Sequence, residues 1–68
     1  MKKVSILIPC YNEQENVRPM SEAIVNLFQK TLSKYDYELL FIDNDSQDHT
    51  RQILREICAA NSKIKAIF

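Results

Sequence analysis

The sequence predicts an α/β protein, a β-α-β-α-β run that makes one half of a doubly wound parallel sheet. Three observations predict it. Two short apolar runs rich in Ile, Leu, Val and Phe each end in a polar loop, the pattern of strands buried in a parallel sheet. The stretches that follow them repeat apolar residues at steps of three and four, which traces one face of a helix. Each stretch is long enough to serve as the crossover that parallel strands require.

The first strand is Val4-Ser5-Ile6-Leu7-Ile8, closed by Pro9, which cannot donate to a ladder. A polar loop follows, Cys10-Tyr11-Asn12-Glu13-Gln14-Glu15-Asn16. The first helix is expected over 16–34, with Val17, Met20, Ile24, Leu27, Phe28, Thr31 and Leu32 on its inner face. Asn16 is its expected N-cap, and Pro19 is tolerated in the first turn, where an N–H has no partner anyway. Lys30 and Lys34 suit the negative C-terminal end. The second strand is expected over 38–43, Glu38-Leu39-Leu40-Phe41-Ile42-Asp43. After the turn Asn44-Asp45-Ser46-Gln47-Asp48-His49, a helix over 50–60 carries Ile53, Leu54, Ile57 and Cys58 on one face. A third strand is expected over 64–68.

Right-handed crossovers place the strands in the order 3-2-1, the order of half a Rossmann-like sheet. In a chain of 68 residues this leaves strands 1 and 3 as edges, which is an aggregation hazard. A chain near 60 residues buries only about 60% of its unfolded surface. Residues 1–68 are therefore expected to be an N-terminal fragment of one larger domain. The remainder of the parent chain, or an oligomer partner, would cover the edges.

Composition narrows function. Nine Lys and Arg balance nine Asp and Glu, which argues against a dominant grip on nucleic acid or an anionic membrane. Hydrophobic residues are 46% and charged residues 26%, ordinary for a globular chain. Glycine is absent, which excludes a P-loop and a GxGxxG fingerprint. Cys10 and Cys58 have neither CxxC spacing nor a neighbouring His, and read as partly buried reduced thiols of a cytoplasmic protein. No targeting segment is visible.

Ligands of open α/β sheets bind outside the carboxyl ends of the strands. Residues 9–13 and 43–48 lie there, on neighbouring strands, so Tyr11, Glu13, Asp43, Asn44 and Asp45 share one neighbourhood by topology. The set is rich in acceptors. It suits ribose hydroxyls, base N–H groups or a divalent cation that bridges to phosphates, rather than a bare phosphate, and Tyr11 offers a flat face to a base. Simpler roles also fit. Capping accounts for Ser46, Asp48 and Thr50. Asn12 and Asn44 suit left-handed turn positions where no glycine is available. Tyr11 can pack on the sheet edge, and His49, Lys63 and Lys65 read as solvated. Cys10 has no basic partner to activate it.

Val4-Ser5-Ile6-Leu7-Ile8-Pro9-Cys10-Tyr11-Asn12-Glu13 resembles the opening of family 2 glycosyltransferases of the GT-A fold, an apolar strand followed by Pro-x-Tyr-Asn-Glu. Phe41-Ile42-Asp43-Asn44-Asp45-Ser46-Gln47-Asp48-His49-Thr50 resembles that family's second motif, apolar-Asp-Asp-Gly-Ser-x-Asp-x-Thr. The spacing of the two also fits, and the resemblance spans the whole chain. Within the family the chain is most similar to the dolichol-phosphate mannosyltransferase and polyprenyl-phosphate glycosyltransferase branch.

The resemblance implies a glycosyltransferase that moves a sugar from a UDP- or GDP-linked donor to an acceptor, which in this branch is a polyprenyl phosphate. It implies that Pro9, Tyr11 and Glu13 frame the nucleotide. It implies that Ile42 and Asn44 contact base and ribose, and that Asp43 orders the loop. Two departures matter. Asn44 stands where the family has a second Asp, which leaves the base open between uracil and guanine. Asp45 stands where the family has Gly, so either the turn avoids φ > 0 there or Asp45 becomes left-handed at some cost. The family's Asp-x-Asp, which holds Mg²⁺ or Mn²⁺, and its general base would lie past Phe68. Residues 1–68 alone are thus expected to be inactive, and the parent to sit in the cytoplasm or at the cytoplasmic face of a membrane. The competing expectations are a non-catalytic α/β nucleotide-binding or interaction module and, less well matched, a receiver-like domain using Asp43.

Overall fold

A computed structural model describes residues 2–68. The element order is β1 (Lys3–Cys10), α1 (Val17–Lys30), β2 (Asp36–Asp43), α2 (Thr50–Ala60) and β3 (Ile64–Ile67). The three strands form one parallel sheet in the order β1-β2-β3, the expected adjacency. The two crossovers step in the same direction across the sheet. Crossovers of one hand then put both helices on the same face.

That face holds the core. Residues alternate across each strand. Val4, Ile6, Ile8 and Cys10 of β1 lie beside Tyr37, Leu39, Phe41 and Asp43 of β2. Leu39 and Phe41 are fully buried and meet Val17 of α1 and Leu54 of α2, which are fully buried too. Phe28 of α1 stacks on Tyr37, with ring centroids 4.8 Å apart. Burying one such side chain stabilises by about 1.5–3 kcal/mol.

The other face corrects an expectation. Near-continuous apolar runs predict strands covered on both sides, yet Leu7 is 62% exposed and Ile67 52% exposed, with Ile42 also open. No helix among the described residues reaches that face, because both crossovers use the opposite one.

Element ends also differ from expectation. Pro9 lies inside β1, paired with Ile42. The carbonyls of Lys2 and Cys10 accept from Asp36 and Asn44, so even-numbered residues turn their peptide groups toward β2. Pro9 therefore turns its missing N–H to the open edge and costs the ladder nothing. α1 stops at Lys30 rather than at residue 34. The N–H groups of Thr31 and Leu32 both bond to the Leu27 carbonyl, and Tyr35 bonds back to Leu32. This turns the chain into β2, and leaves Leu27 and Thr31 exposed. Asn16 is the N-cap residue of α1 without a side-chain capping bond; its Nδ2 donates to Glu13 Oε2 instead. Lys63 is not merely solvated. It pairs with Asp36 and lies 4.8 Å from the Tyr37 ring centre.

Candidate functional site

The carboxyl ends of β1 and β2 are in register, with Pro9 beside Ile42 and Cys10 beside Asp43. The Asn44 N–H continues the ladder to the Cys10 carbonyl at 2.9 Å. Two loops therefore leave the sheet from adjacent points. Pro9 and Ile42 share its open face, while Cys10 and Asp43 share its helix-covered face.

Side chains bind these loops into one unit. The Asn12 N–H donates to Ser46 Oγ at 3.0 Å, the Glu13 N–H to Thr50 Oγ1 at 2.8 Å and the Gln14 N–H to Asp48 Oδ2 at 3.3 Å. In return the Gln47 N–H donates to Asn12 Oδ1 at 2.8 Å and the His49 N–H to Gln14 Oε1 at 3.0 Å. Five loop N–H groups thus find partners on the other loop. This revises the capping account. Only Asp48 bonds to the first helical N–H, that of Thr50, at 2.9 Å. Ser46 and Thr50 join loop to loop, and His49 is the residue at the N-cap position.

Two backbone positions are left-handed, Asn12 with φ 51° and Asp45 with φ 58°. Asn12 behaves as expected. Asn44 does not take this conformation; Asp45 takes it, at the position where the resembling family has glycine. Asn and Asp tolerate the left-handed region better than other non-glycine residues.

Asp43 is the buried centre of the second loop, its side chain wholly shielded from solvent. Oδ1 accepts from Ser46 Oγ, and Oδ2 accepts from the Ser46 N–H at 3.1 Å and from Arg51 Nε at 2.9 Å. Burial pushes its pKa up, but the bonds from Ser46 and Arg51 outweigh burial and hold the carboxyl below its ordinary value. Cys10, beside it, is pushed the other way by burial and by the carboxylates of Asp43 and Glu13. It is a poor nucleophile in this setting. Cys10 and Cys58 are both free thiols.

All six residues singled out from the sequence lie at this one edge, in different environments. Tyr11 is 54% exposed, Ile42 is 37% exposed, and Pro9 and Asn44 are exposed. Glu13 is half-buried, its carbonyl accepting from Asn16 and Val17 at the start of α1. Asp43 is buried on the opposite face of the sheet from Pro9 and Ile42. Sequence reasoning missed Arg51 and the cross-loop roles of Gln14, Ser46 and Thr50. The signal for Arg51 was present: a cation in the first turn of a helix opposes the dipole unless something holds it there.

Among the described residues no group of three or more His, Cys, Asp or Glu side chains stands close enough to hold a metal ion. Asp43 is committed to Ser46 and Arg51, and Asp45 lies 3.8 Å from the same guanidinium. A cleft of about 430 Å³ between α1 and α2, lined by Ser21, Val25, Ile57 and Ile64, includes no residue of either loop. No described helix is long and apolar enough to cross a membrane.

Residues 5–68 match the family described as Glycosyl transferase family 2. The chain is 38% identical over 64 residues to glycosyltransferase AglE of Haloferax volcanii, covering 94% of this chain and 20% of that protein. It is 39% identical over 64 residues to the putative glycosyltransferase CsbB of Bacillus subtilis, covering 94% of this chain and 19% of that one. It is 38% identical over 55 residues to a dolichol-phosphate mannosyltransferase of Pyrococcus furiosus, covering 81% of this chain and 14% of that one. The chain thus spans about a fifth or less of the length of these relatives.

Proposed function

The chain belongs to glycosyl transferase family 2, and from that premise we propose that residues 1–68 form the nucleotide side of a sugar-nucleotide donor site. One observation carries the reading. Two acceptor-rich loops are fastened side by side at the carboxyl edge of a parallel sheet, with Tyr11 and Asn44 exposed and Asp43 buried.

Each residue has a role in this reading. Tyr11 stacks on the base. The Asn44 amide offers an acceptor and a donor together, which suits the paired N–H and carbonyl on the edge of uracil or guanine. Pro9 and Ile42 form the apolar floor beside the base, and Glu13 closes the far side toward the ribose. Asp43 acts by holding the loop. Fastened loops bind better than loose ones, because less freedom is lost when the ligand arrives.

In a longer protein such a segment would serve transfer of the sugar from a UDP- or GDP-linked donor, with a polyprenyl phosphate as acceptor. The similarity to a protein named dolichol-phosphate mannosyltransferase supports that acceptor class. The Mg²⁺ or Mn²⁺ and the general base would come from residues outside 1–68, so the chain by itself would bind donor without transferring sugar.

The test is an amide NMR titration of the 68-residue chain with UDP and, separately, GDP. Dispersed peaks with shifts confined to Tyr11, Glu13, Ile42 and Asn44 are expected, and the responding nucleotide names the base. Dispersed peaks that ignore both nucleotides would favour a non-catalytic interaction module. Sugar transfer by the isolated chain would contradict the expected inactivity.

A further inference from the structure

Arg51 has no part in the reading above, yet its placement is specific. It is the second residue of α2, where a positive charge opposes the helix dipole. Its side chain reaches back across the loop that precedes the helix. Nε donates to Asp43 Oδ2 at 2.9 Å, and Nη2 lies 3.8 Å from Asp45 Oδ1. These carboxylates belong to the residues on either side of Asn44. Asp43 ends β2 and is buried; Asp45 is exposed and left-handed at φ 58°. One guanidinium therefore hydrogen-bonds the residue before Asn44 and lies within ion-pair distance of the residue after it. Among the described residues no other Lys or Arg makes an ion pair with this loop. The Phe68 ring lies 5.5 Å from the Arg51 guanidinium carbon and 4.8 Å from that of Arg55.

We propose that Arg51 is a positioning residue that sets the presentation of Asn44 to the nucleotide base by clamping Asp43 and Asp45 on either side of it. The inference rests on the donor-binding reading for its ligand, and on the contacts above for its geometry.

The physical case has three steps. Two carboxylates separated by one residue repel each other, and that repulsion favours splaying the loop. A single cation between them removes the repulsion, and the planar fork of a guanidinium meets two acceptors at once, which an ammonium on a flexible stem does less well. Asp45 is left-handed, a conformation that Asp tolerates better than most residues but still at some cost, so contacts that fix it help to keep the loop in place. Without the clamp Asn44 samples several positions, and ligand binding must order it again.

The experiment uses the full 68-residue chain and three variants, Arg51→Met, Arg51→Lys and Arg55→Met. Each is titrated with UDP and with GDP by amide NMR, and amide exchange is measured without ligand. Arg55 also faces Phe68 but touches neither loop, so it controls for the loss of a cation from α2. Arg51→Met is expected to weaken nucleotide binding about tenfold, the effect of roughly one lost ordering interaction. Its Asn44 and Asp45 amides should shift and exchange faster while those of Leu39 and Leu40 stay put. Arg51→Lys should recover part of the affinity, and Arg55→Met should match the parent chain. Unchanged affinity and unchanged Asn44 exchange in Arg51→Met would overturn the proposal. If Arg51→Met does not fold, Arg51→Lys is judged by the same two readouts. If the parent chain binds neither nucleotide, the donor-binding reading fails by itself. The clamp then stands or falls on Asn44 and Asp45 exchange in the free chain.

Discussion

A carboxylate without exposed surface stays ionised only where donors replace the water it has lost. Asp43 has such donors in Ser46 and Arg51, and its pKa falls although burial pushes it up. Asp48 follows the same logic, since burial raises it and bonds from Thr50 and Gln14 outweigh burial. Both folded-state values lie below the ordinary 3.8. The stability they contribute is therefore present above that value and lost as pH falls through the lowered folded-state values. The urea midpoint should stay level from about pH 7 to pH 5 and drop below about pH 4. Asp43→Asn should cost about 1.5–3 kcal/mol, because an amide presents a donor to donors and gives up bonds to a charged group. It should also flatten the acid limb; an unchanged limb would remove Asp43 from this account. Asp45 gives a second contrast. Asp45→Ala should cost about 1 kcal/mol through its left-handed φ, whereas Asp45→Gly should not, and paired denaturation curves would show the difference. Both substitutions remove the same carboxylate and its Arg51 contact, so the difference between them reads the backbone alone.

At the scale of elements, strand and helix identity was legible because apolar period and strand composition agree in this sequence. α2 falls where its period puts it, at Thr50–Ala60, since Ile53, Leu54, Ile57 and Cys58 mark one face and polar residues bound both ends. α1 ends four residues early. The apolar step from Phe28 to Leu32 continues the helical period, but the turn back to β2 takes the Thr31 and Leu32 N–H groups for the Leu27 carbonyl. Pro9 stands inside β1 because only its open-edge side lacks a donor, and sequence alone does not say which side of a strand is paired. Of the candidate site, Tyr11, Asn44 and their neighbours were legible from topology. The cross-loop bonds were not, because Ser46 and Thr50 would make equally good caps on composition. Elements also differ in what they contribute. Leu54→Ala removes a fully buried side chain from α2 and should cost about 2–5 kcal/mol, comparable to the roughly 3–5 kcal/mol that a single core of this size supplies. Leu7→Ser on the open face of β1 should change the denaturation midpoint little. Equal losses from the two substitutions would mean that both faces of the sheet are covered in solution.

The whole molecule is a sheet dressed on one side. Leu7, Ile42 and Ile67 lie open on the undressed face while Leu39, Phe41 and Leu54 are sealed on the other. Near-continuous apolar strands predict cover on both faces, and the described helices cover one. β1 and β3 each leave one edge unpaired as well. Net charge is zero, so little long-range repulsion keeps copies apart. Open edges and a contiguous apolar surface then make non-specific association the expected state at high concentration. Sedimentation velocity should show weight-average mass rising with concentration, with little response to salt, because the driving force is apolar. A Leu7→Lys, Ile67→Lys double variant should suppress the rise. Its unfolding free energy should stay within about 0.5 kcal/mol of that of the unsubstituted chain, since both side chains already face solvent. Association that persists in the double variant, or that salt abolishes, would place its cause elsewhere than on this face.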